Sequence, residues 1–331
     1  MTDTLGLAAG NLLSPAVLCF FLGGIATLAK SDLKIPEAVS SLLTTYLLLA
    51  IGLKGGVELS HASASELAWP LVATLAVGLV TPLAAIAVAR GLGKLGIADA
   101  AALGAHYGSV SIVTFIAVTS FLQATHLPVP GYVTALVVLL EVPGLLLSLV
   151  IARFFLSKGQ GAAPQSAFGS VLREILSGRS LVLMLGGLAI GALCGKEGFA
   201  RVEPFFGPPF QGVVALFLLE MGLLAARRLR DLRKVGMFVL SFATLMPVLN
   251  ACFGIAVARV TGLPLGAAIV LGTLAASASY IAAPAAVRLA LPEANPGIYL
   301  NAALTVTFPF NLTLGIPLYS ALAKMLYEVW P

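Results

Sequence analysis

The pentapeptide Ile-Ala-Val-Ala-Arg occupies residues 86–90 and recurs unchanged at residues 255–259. Shorter matches flank both copies in the same order, at an offset of about 163–170 residues. Leu-Gly-Gly at 22–24, for example, corresponds to Leu-Gly-Gly at 185–187. One match between apolar segments carries little weight, but matches that keep their order along a chain indicate an internal repeat. The sequence therefore predicts that the second half of the chain repeats the first.

The composition places both halves in a membrane. Of the 331 residues, 59% are hydrophobic and only 10% are charged, whereas soluble domains carry about 25% charged residues. Long apolar runs exclude a soluble enzyme with one membrane anchor, and also an outer-membrane barrel, whose strands alternate apolar and polar residues. At about 20 residues per spanning helix, the runs predict an all-α polytopic membrane protein with ten spans, near 15–29, 36–55, 67–92, 98–122, 131–156, 180–195, 207–226, 235–260, 265–290 and 298–325.

The two repeats are predicted to cross the membrane in opposite directions. Residues 1–156 and 180–331 each hold five spans, and an odd number makes the second copy enter from the other side. Of the 19 Lys and Arg residues, 14 fall in the odd-numbered connections, the longest of which is the linker at 157–179. Because basic residues favour the cytoplasmic side, we expect a cytoplasmic linker and both termini outside. Inverted repeats are typical of transporters.

Two polar segments lie near the middle of the fourth and ninth spans and predict breaks in those helices. Exposed backbone groups and half-helix dipoles at such breaks can replace a solute's water. Pro284 favours the second break because it lacks a backbone donor and clashes with the preceding turn. Close packing of small residues in lipid is the alternative interpretation. The candidate substrate-binding residues are Gly108, Ser109, Ser111, Thr114, Ser277, Ser279 and Tyr280.

Intramembrane carboxylates are costly and usually functional, and two stand out. Glu141 in the fifth span is interpreted as a cation ligand, a proton carrier or a partner of a helix N-terminus, whereas Glu220 in the seventh favours a structural role. His106, beside the first polar segment, is more simply a packing residue than a proton carrier. The candidate coupling-ion residues are Glu141, Ser111, Ser279, Thr305, Thr307 and Asn311.

Other classes of function find little support in the sequence. Basic residues that anchor one side of a membrane protein explain the net charge of +5 without a nucleic-acid partner. Cys19, Cys194 and Cys252 lie in apolar runs without metal-ligand spacing and are interpreted as packing residues. The sequence does not place a nucleophile and a base at a spacing that would suit catalysis. We therefore expect that the protein is not an enzyme and binds no cofactor, apart from Na+ as a candidate coupling ion.

Several motifs resemble the sodium-dependent bicarbonate transporters of cyanobacteria, in register over nearly the whole chain. They are Ile-Pro-Glu-Ala at 35–38, Ile-Gly-Leu at 51–53, Gly-x-Val-Ser at 108–111, Leu-Arg-Lys-Val at 232–235, Ala-Ser-x-Ser at 276–279 and Ala-Asn-Pro at 294–296. The resemblance implies a homotrimer in the bacterial inner membrane. Spans 1, 2, 6 and 7 would form a scaffold, against which spans 3–5 and 8–10 move as an elevator-like core. It also implies a PII-like regulator on the cytoplasmic face.

The resemblance also assigns site residues. Hydroxyl positions of the family match Ser111, Thr114, Ser277 and Ser279, its fifth-span acid matches Glu141, and its Thr-Pro in the tenth span resembles Thr307-x-Pro309. The chain departs from the family at Tyr280, where the cyanobacterial proteins carry Asp, and at the apolar residues Ile112, Val113, Ala282 and Ala283. These changes make the site larger, drier and less suited to a cation.

The leading hypothesis is a secondary active transporter that moves a small anion, bicarbonate or a related carboxylate, by elevator-type alternating access with Na+ or H+ coupling. A carrier of an organic or hydrophobic anion is the first alternative. The second is a membrane scaffold or sensor that does not transport and recruits a partner through basic residues such as those at 227–234.

Overall fold

The structure is a computed structural model that describes residues 10, 12–157, 169, 173, 176–229 and 236–330. The described part is helical and contains no strand. Its helices are α1 (Pro15–Leu28), α2 (Glu37–Leu59), α3 (Ala64–Gly91), α4 (Ile97–Tyr107), α5 (Ile112–Ala124), α6 (Val133–Leu140), α7 (Pro143–Ser157), α8 (Arg179–Ala200), α9 (Glu203–Phe206), α10 (Phe210–Arg228), α11 (Met237–Val260), α12 (Leu265–Ala275), α13 (Ala283–Ala290) and a last helix that begins at Pro296 and ends at Val329.

Eight helical stretches of the described residues are long and apolar enough to cross a membrane, counting α4 with α5, α6 with α7 and α9 with α10 as single stretches. The first and ninth predicted spans are shorter. The first is the 14-residue α1, and the ninth is divided into the 11-residue α12 and the 8-residue α13. The sixth is longer than predicted, because α8 continues to Ala200 through a kink at Gly195, whose φ of 59° suits glycine.

Part of the sequence-based interpretation falls outside the described residues. The linker at 157–179 is described only at Ser157, at two isolated residues and from Leu176 onward. The basic run at 227–234 is described as far as Leu229.

The fifth predicted span, 131–156, is one apolar stretch over Val133–Leu156, but its helix is interrupted near the middle. α6 ends at Leu140 and α7 begins at Pro143, leaving Glu141 at the interruption. A proline in a helix interior removes one backbone donor and clashes with the carbonyl four residues earlier, whereas it fits the first position of a new helix. Pro143 therefore explains a third helix break.

The last helix contains two π-helical stretches, Asn301–Thr307 and Asn311–Gly315, on either side of Pro309. Wider π turns relieve the contact between a proline ring and the preceding turn, and they occur often at functional sites. They turn Asn301, Thr305, Thr307 and Asn311 into the protein interior, where all four are buried.

Glycines bring two pairs of helices into backbone contact: α1 with α10, and α2 with α8. A Cβ at Gly222 would meet the backbone of Phe20 and Gly24. A Cβ at Gly52 would meet the backbone of Leu183 and Gly187. Small residues drive such close packing in lipid. Leu183 and Gly187 lie 163 residues after Phe20 and Gly24, an offset within the range of the sequence matches.

The duplicated pentapeptide packs in the same way in both halves. Ile86 of α3 fills the space beside Gly104 of α4, and Ile255 of α11 fills the space beside Gly272 of α12. In each half, therefore, the third span supports the first half of the broken span by the same pair of residue types.

Because a methyl group has no room at Gly191, we expect Gly191→Ala to destabilise the protein. Its Cβ would meet the backbone of Leu53 in α2, while a Cβ at Gly186 of the same helix would meet nothing within 4 Å. Overpacking typically costs about 1–3 kcal/mol, whereas Gly186→Ala adds a better helix former at an open position. Thermal unfolding in detergent should therefore occur at a lower temperature for Gly191→Ala only. Equal unfolding of the two variants would contradict the proposed close contact.

Candidate functional site

The breaks in the fourth and ninth spans cross and are held together by two hydrogen bonds. The backbone N–H of Ser111 donates to Ser277 Oγ at 3.0 Å. The backbone N–H of Ser279 donates to the carbonyl oxygen of His106 at 2.8 Å. Each break thus supplies the partner that the other needs, as backbone groups in a membrane interior require.

Two serines also cap the half-helices that leave the crossing. Ser111 Oγ accepts from the backbone N–H of Thr114 at 3.2 Å, at the start of α5. Ser279 Oγ accepts from the N–H of Ala283 at 3.3 Å, at the start of α13. The N-termini of α5 and α13, the positive ends of their dipoles, therefore begin at the crossing. Each hydroxyl keeps its hydrogen for another acceptor.

A small cavity of about 10 Å³, here called the crossing cavity, lies between the breaks. This volume is about that needed for the centre of one water molecule. Its polar lining consists of Ser111, Glu141, Ser279 and Tyr280, and its apolar lining consists of Val110, Ile112, Ile281 and Ala282. The structure thus brings three of the seven predicted substrate-binding residues, Ser111, Ser279 and Tyr280, to one cavity.

The other four predicted substrate-binding residues support the crossing from outside this cavity. Ser109 Oγ donates to the carbonyl oxygen of Glu141 at 3.0 Å and so joins the fourth-span break to the fifth-span break. Ser277 holds Ser111, and Thr114 supplies the capped N–H. Gly108 allows close approach, because a Cβ there would meet the ring of Pro82 at 2.6 Å.

Tyr280 contributes the bulk and the phenol of the site. Its ring packs at 5.1 Å from that of Phe308 in the last helix. Its hydroxyl is buried beside the hydroxyl of Ser111 and has no hydrogen bond of standard geometry among the described residues. The phenol is therefore a donor available at the crossing.

Glu141 connects the crossing cavity to a larger one. This second cavity, here called the vestibule, has a volume of about 240 Å³ and shares Glu141, Ile281 and Ala282 with the crossing cavity. It extends to Arg179 and Ser180 at the start of α8. The glutamate side chain is only 3% exposed, and its Oε2 has no hydrogen-bond partner within the described ranges.

Arg179 and Ser180 are the site residues that the sequence interpretation missed. The Ser180 hydroxyl lies beside the Glu141 carboxylate, and Arg179 donates from its guanidinium to Ser41 Oγ at 2.5 Å. Both residues lie where the linker meets the sixth predicted span. In the sequence, this position is typical of a helix end with a basic residue on the cytoplasmic side. The position of Ser180 directly inside the span was the one feature of the sequence that could have indicated a site residue.

The polar residues of the last helix lie in a separate hydrogen-bond network. Thr307 Oγ1 donates to the carbonyl of Ala243 at 2.6 Å and lies 2.6 Å from the hydroxyl of Tyr107. Asn311 Nδ2 donates to the carbonyl of Ala276 at 2.9 Å. Thr305 Oγ1 donates to Asn301 Oδ1 at 3.4 Å. The structure thus places the predicted coupling-ion residues Thr305, Thr307 and Asn311 outside both cavities. Thr307 and Asn311 bind the last helix to its neighbours, whereas Thr305 bonds within that helix.

His106 and Glu220 lie apart from the cavities. His106 is fully buried, its Nδ1 is 2.7 Å from the carbonyl oxygen of Ala102, and its ring packs 4.6 Å from that of Tyr299. Glu220 is 8% exposed on α10, beside the Ser40 hydroxyl. Within the described ranges, no three His, Cys, Asp or Glu side chains are grouped as metal ligands.

Comparison with known proteins agrees with the helical membrane architecture. The sequence has no significant match among curated proteins. The family model of the Na+-dependent bicarbonate transporter superfamily, however, matches residues 15–324. The match covers nearly the whole chain, including both breaks, Glu141 and both copies of the duplicated pentapeptide. The chain therefore belongs to the Na+-dependent bicarbonate transporter superfamily.

Proposed function

We propose that this transporter is a secondary active carrier of a small anion, bicarbonate or a related carboxylate, coupled to Na+ or H+. The observation that carries the proposal is the crossing of two helix breaks, at which two half-helix N-termini begin beside Ser111, Ser279 and Tyr280. Helix N-termini attract anions through free N–H groups and the helix dipole. The hydroxyls of the two serines and the phenol add donors for carboxylate oxygens.

The apolar lining of the crossing cavity favours a second candidate, an organic or hydrophobic anion. Val110, Ile112 and Ile281 surround the polar groups, and the Tyr280 ring offers a face for packing. Such a lining would stabilise the apolar body of an organic carboxylate, a part that bicarbonate lacks. A thermal-shift screen of bicarbonate, short carboxylates and aromatic carboxylates would separate the two candidates.

The proposed mechanism is elevator-type alternating access between ten spans in two inverted repeats. The corresponding glycine contacts at Gly52 and Gly222 and the corresponding pairs at Ile86 and Ile255 support the repeat. The pairs α1 with α10 and α2 with α8 would form the scaffold, and the remaining spans the moving core. The vestibule ends at Arg179, beside the linker that we expect in the cytoplasm, so in the proposed mechanism this conformation would be the inward-facing one.

The setting of the transporter is proposed from the family resemblance. It would be a multi-pass protein of the bacterial inner membrane, with both termini outside. It would form a homotrimer and bind a PII-like regulator on its cytoplasmic face.

Replacing Ser279 by Ala should impair transport. The variant loses a hydroxyl in the crossing cavity, and a hydrogen bond to a charged group contributes about 1.5–3 kcal/mol, or roughly tenfold or more in affinity. Uptake of labelled bicarbonate and of labelled benzoate into proteoliposomes measures the effect. Ser148→Ala is the matched control, because Ser148 is also buried, in α7, lies outside both cavities and donates to the carbonyl of Gly144 in its own helix. A scaffold or sensor without transport predicts no uptake by the wild type.

The proposed topology predicts opposite labelling of two exposed loop positions. In a variant with Ala in place of Cys19, Cys194 and Cys252, a cysteine is introduced at Lys34 or at His61. A membrane-impermeant maleimide applied to intact cells should label His61→Cys directly but Lys34→Cys only after permeabilisation. The reverse pattern would place the termini inside and contradict the charge-based orientation.

A further inference from the structure

A third cavity lies between the proposed scaffold and the proposed core, and it is here called the outer cavity. It has a volume of about 650 Å³ and is lined by residues of α1, α5, α10 and the last helix. Its lining includes Ser14, which precedes α1, Thr125, which follows α5, and Gln211, the second residue of α10. The proposed topology puts these three helix ends outside. The outer cavity therefore lies on the side of the membrane opposite the vestibule.

The outer cavity has a polar rim and an apolar floor. At the rim, Gln211 Nε2 donates to Ser120 Oγ at 3.2 Å, which joins α10 to α5. Val17, Leu218 and Leu312 also belong to the lining but are at most 2% exposed, so they form the floor. Leu218 lies one helix face below Gln211, roughly 10 Å away at about 1.5 Å per residue. The cavity thus ends in apolar side chains within the membrane.

Two aromatic rings lie one helical turn beyond this floor. Phe20 follows Val17 by three residues in α1, and Phe308 precedes Leu312 by four residues in the last helix. Residues at these spacings lie on the same face of a helix. The two rings pack edge to face, with centroids 5.6 Å apart and planes at 83°, an arrangement that aromatic pairs favour. Phe20 is 7% and Phe308 is 2% exposed. This buried pair is here called the aromatic barrier.

The other side of the aromatic barrier faces the crossing. The centroid of the Phe308 ring is also 5.1 Å from that of Tyr280, and Tyr280 lines the crossing cavity. Phe20 and Phe308 themselves line none of the three cavities. They belong to the same buried apolar cluster as the floor residues, against which Tyr280 packs. The two rings therefore separate the outer cavity from the crossing cavity.

The aromatic barrier joins the proposed scaffold to the proposed core. Phe20 is fixed in the scaffold, because its carbonyl oxygen lies where a Cβ of Gly222 in α10 would be. Phe308 belongs to the core and lies between the π-helical stretch that ends at Thr307 and Pro309. A ring pair within one rigid unit would stay together when the units move. This pair has one ring on each unit, so movement of the core separates the rings.

An apolar ring pair is an effective block to an anion. A charged group that leaves water without compensating hydrogen bonds loses its hydration at a large cost, and hydrophobic constrictions close membrane pathways by excluding water. The vestibule, by contrast, adjoins the crossing cavity through the shared residues Ile281 and Ala282. The crossing is thus connected on the vestibule side and closed on the outer side.

We propose that Phe20 and Phe308 are the outer gate of this transporter and that an anion enters through the outer cavity; the gate rests on the transport function proposed above. No Asp, Glu, Lys or Arg is among the described residues that line this cavity. Its amides and hydroxyls therefore solvate an anion without retaining it by charge. When the core moves relative to the scaffold, Phe308 leaves Phe20 and the crossing opens to the outer cavity.

Cysteine labelling of the full-length protein tests the gate without any transport substrate. In a variant with Ala in place of the three native cysteines, Val110→Cys introduces a thiol in the crossing cavity. An anionic, membrane-impermeant methanethiosulfonate is applied to the outside of intact cells. Phe20→Ala removes one ring of the gate and should raise the labelling rate of Val110→Cys by about tenfold or more, because the apolar constriction that excludes water and solutes is lost.

Two controls separate gating from general loosening of the structure. Phe242→Ala is the matched control, because Phe242 is also a buried ring, 4% exposed, in edge-to-face contact with Tyr107 at 5.0 Å, but both rings lie within the core. It should leave the labelling rate of Val110→Cys unchanged. Ser120→Cys lies in the outer cavity and should be labelled rapidly in every background.

Four labelling results would overturn the proposal. The gate is wrong if Val110→Cys is labelled as fast as Ser120→Cys while both rings are present. It is also wrong if Phe20→Ala leaves the rate unchanged, or if Phe242→Ala raises it equally. Slow labelling of Ser120→Cys from outside would exclude the outer cavity as the entrance.

Crosslinking tests the gate without removing the bulk of a ring from a variant that must fold unaided. In the double variant Phe20→Cys with Phe308→Cys, a short bis-methanethiosulfonate should link the thiols and stop exchange of labelled bicarbonate or benzoate in proteoliposomes, and a reductant should restore it. Phe238→Cys with Phe242→Cys is the control, because these rings are 5.9 Å apart within α11, and its exchange should persist. Thiols that do not link, or that link without loss of exchange, overturn the gate. Absence of exchange in the wild type overturns the transport function, and the labelling rates still decide whether Phe20 closes the outer side.

Discussion

Mutual satisfaction of backbone groups at the crossing is the constraint on which this structure depends. A helix that stops within a membrane exposes N–H and C=O groups that lipid cannot satisfy. Here the fourth-span and ninth-span breaks satisfy each other through Ser111 with Ser277 and through Ser279 with His106. Each break thus supplies a hydrogen-bond acceptor that the other lacks. The N-terminal, positive ends of two half-helices consequently lie together at the crossing. The crossing cavity therefore results from hydrogen bonding between the breaks that the lipid environment requires.

The rest of the fold supports that crossing by close backbone packing. Gly52 and Gly222 let helices of the two halves touch without intervening side chains, and Ile86 and Ile255 support the two broken spans in the same manner. Contacts between backbones leave few alternative side-chain arrangements, which favours rigid units over locally deformable ones. Rigid units that share one central site are what alternating access requires.

The sequence predicted what depends on local chemistry. The Ser-rich segments around Ser111 and Ser279 indicated the two crossing breaks, and the motif resemblance to the bicarbonate transporters is confirmed by the family match. Features that depend on which helices face each other were harder to predict from the sequence. Thr307 and Asn311 are predicted to be ion ligands, and the structure adds that they donate hydrogen bonds to the carbonyls of Ala243 and Ala276. Ser180 was not predicted as a site residue because its partner, Glu141, lies 39 residues earlier in the chain.

The bond between Ser109 and Glu141 has a consequence for the evolution of this superfamily. Ser109 binds the backbone carbonyl of residue 141 and not its carboxylate, so the architecture of the three breaks does not depend on which side chain stands there. A substitution at this position changes what the side chain can bind and leaves the bond that holds the breaks together. Position 141 can thus vary in what its side chain binds while the three breaks stay joined.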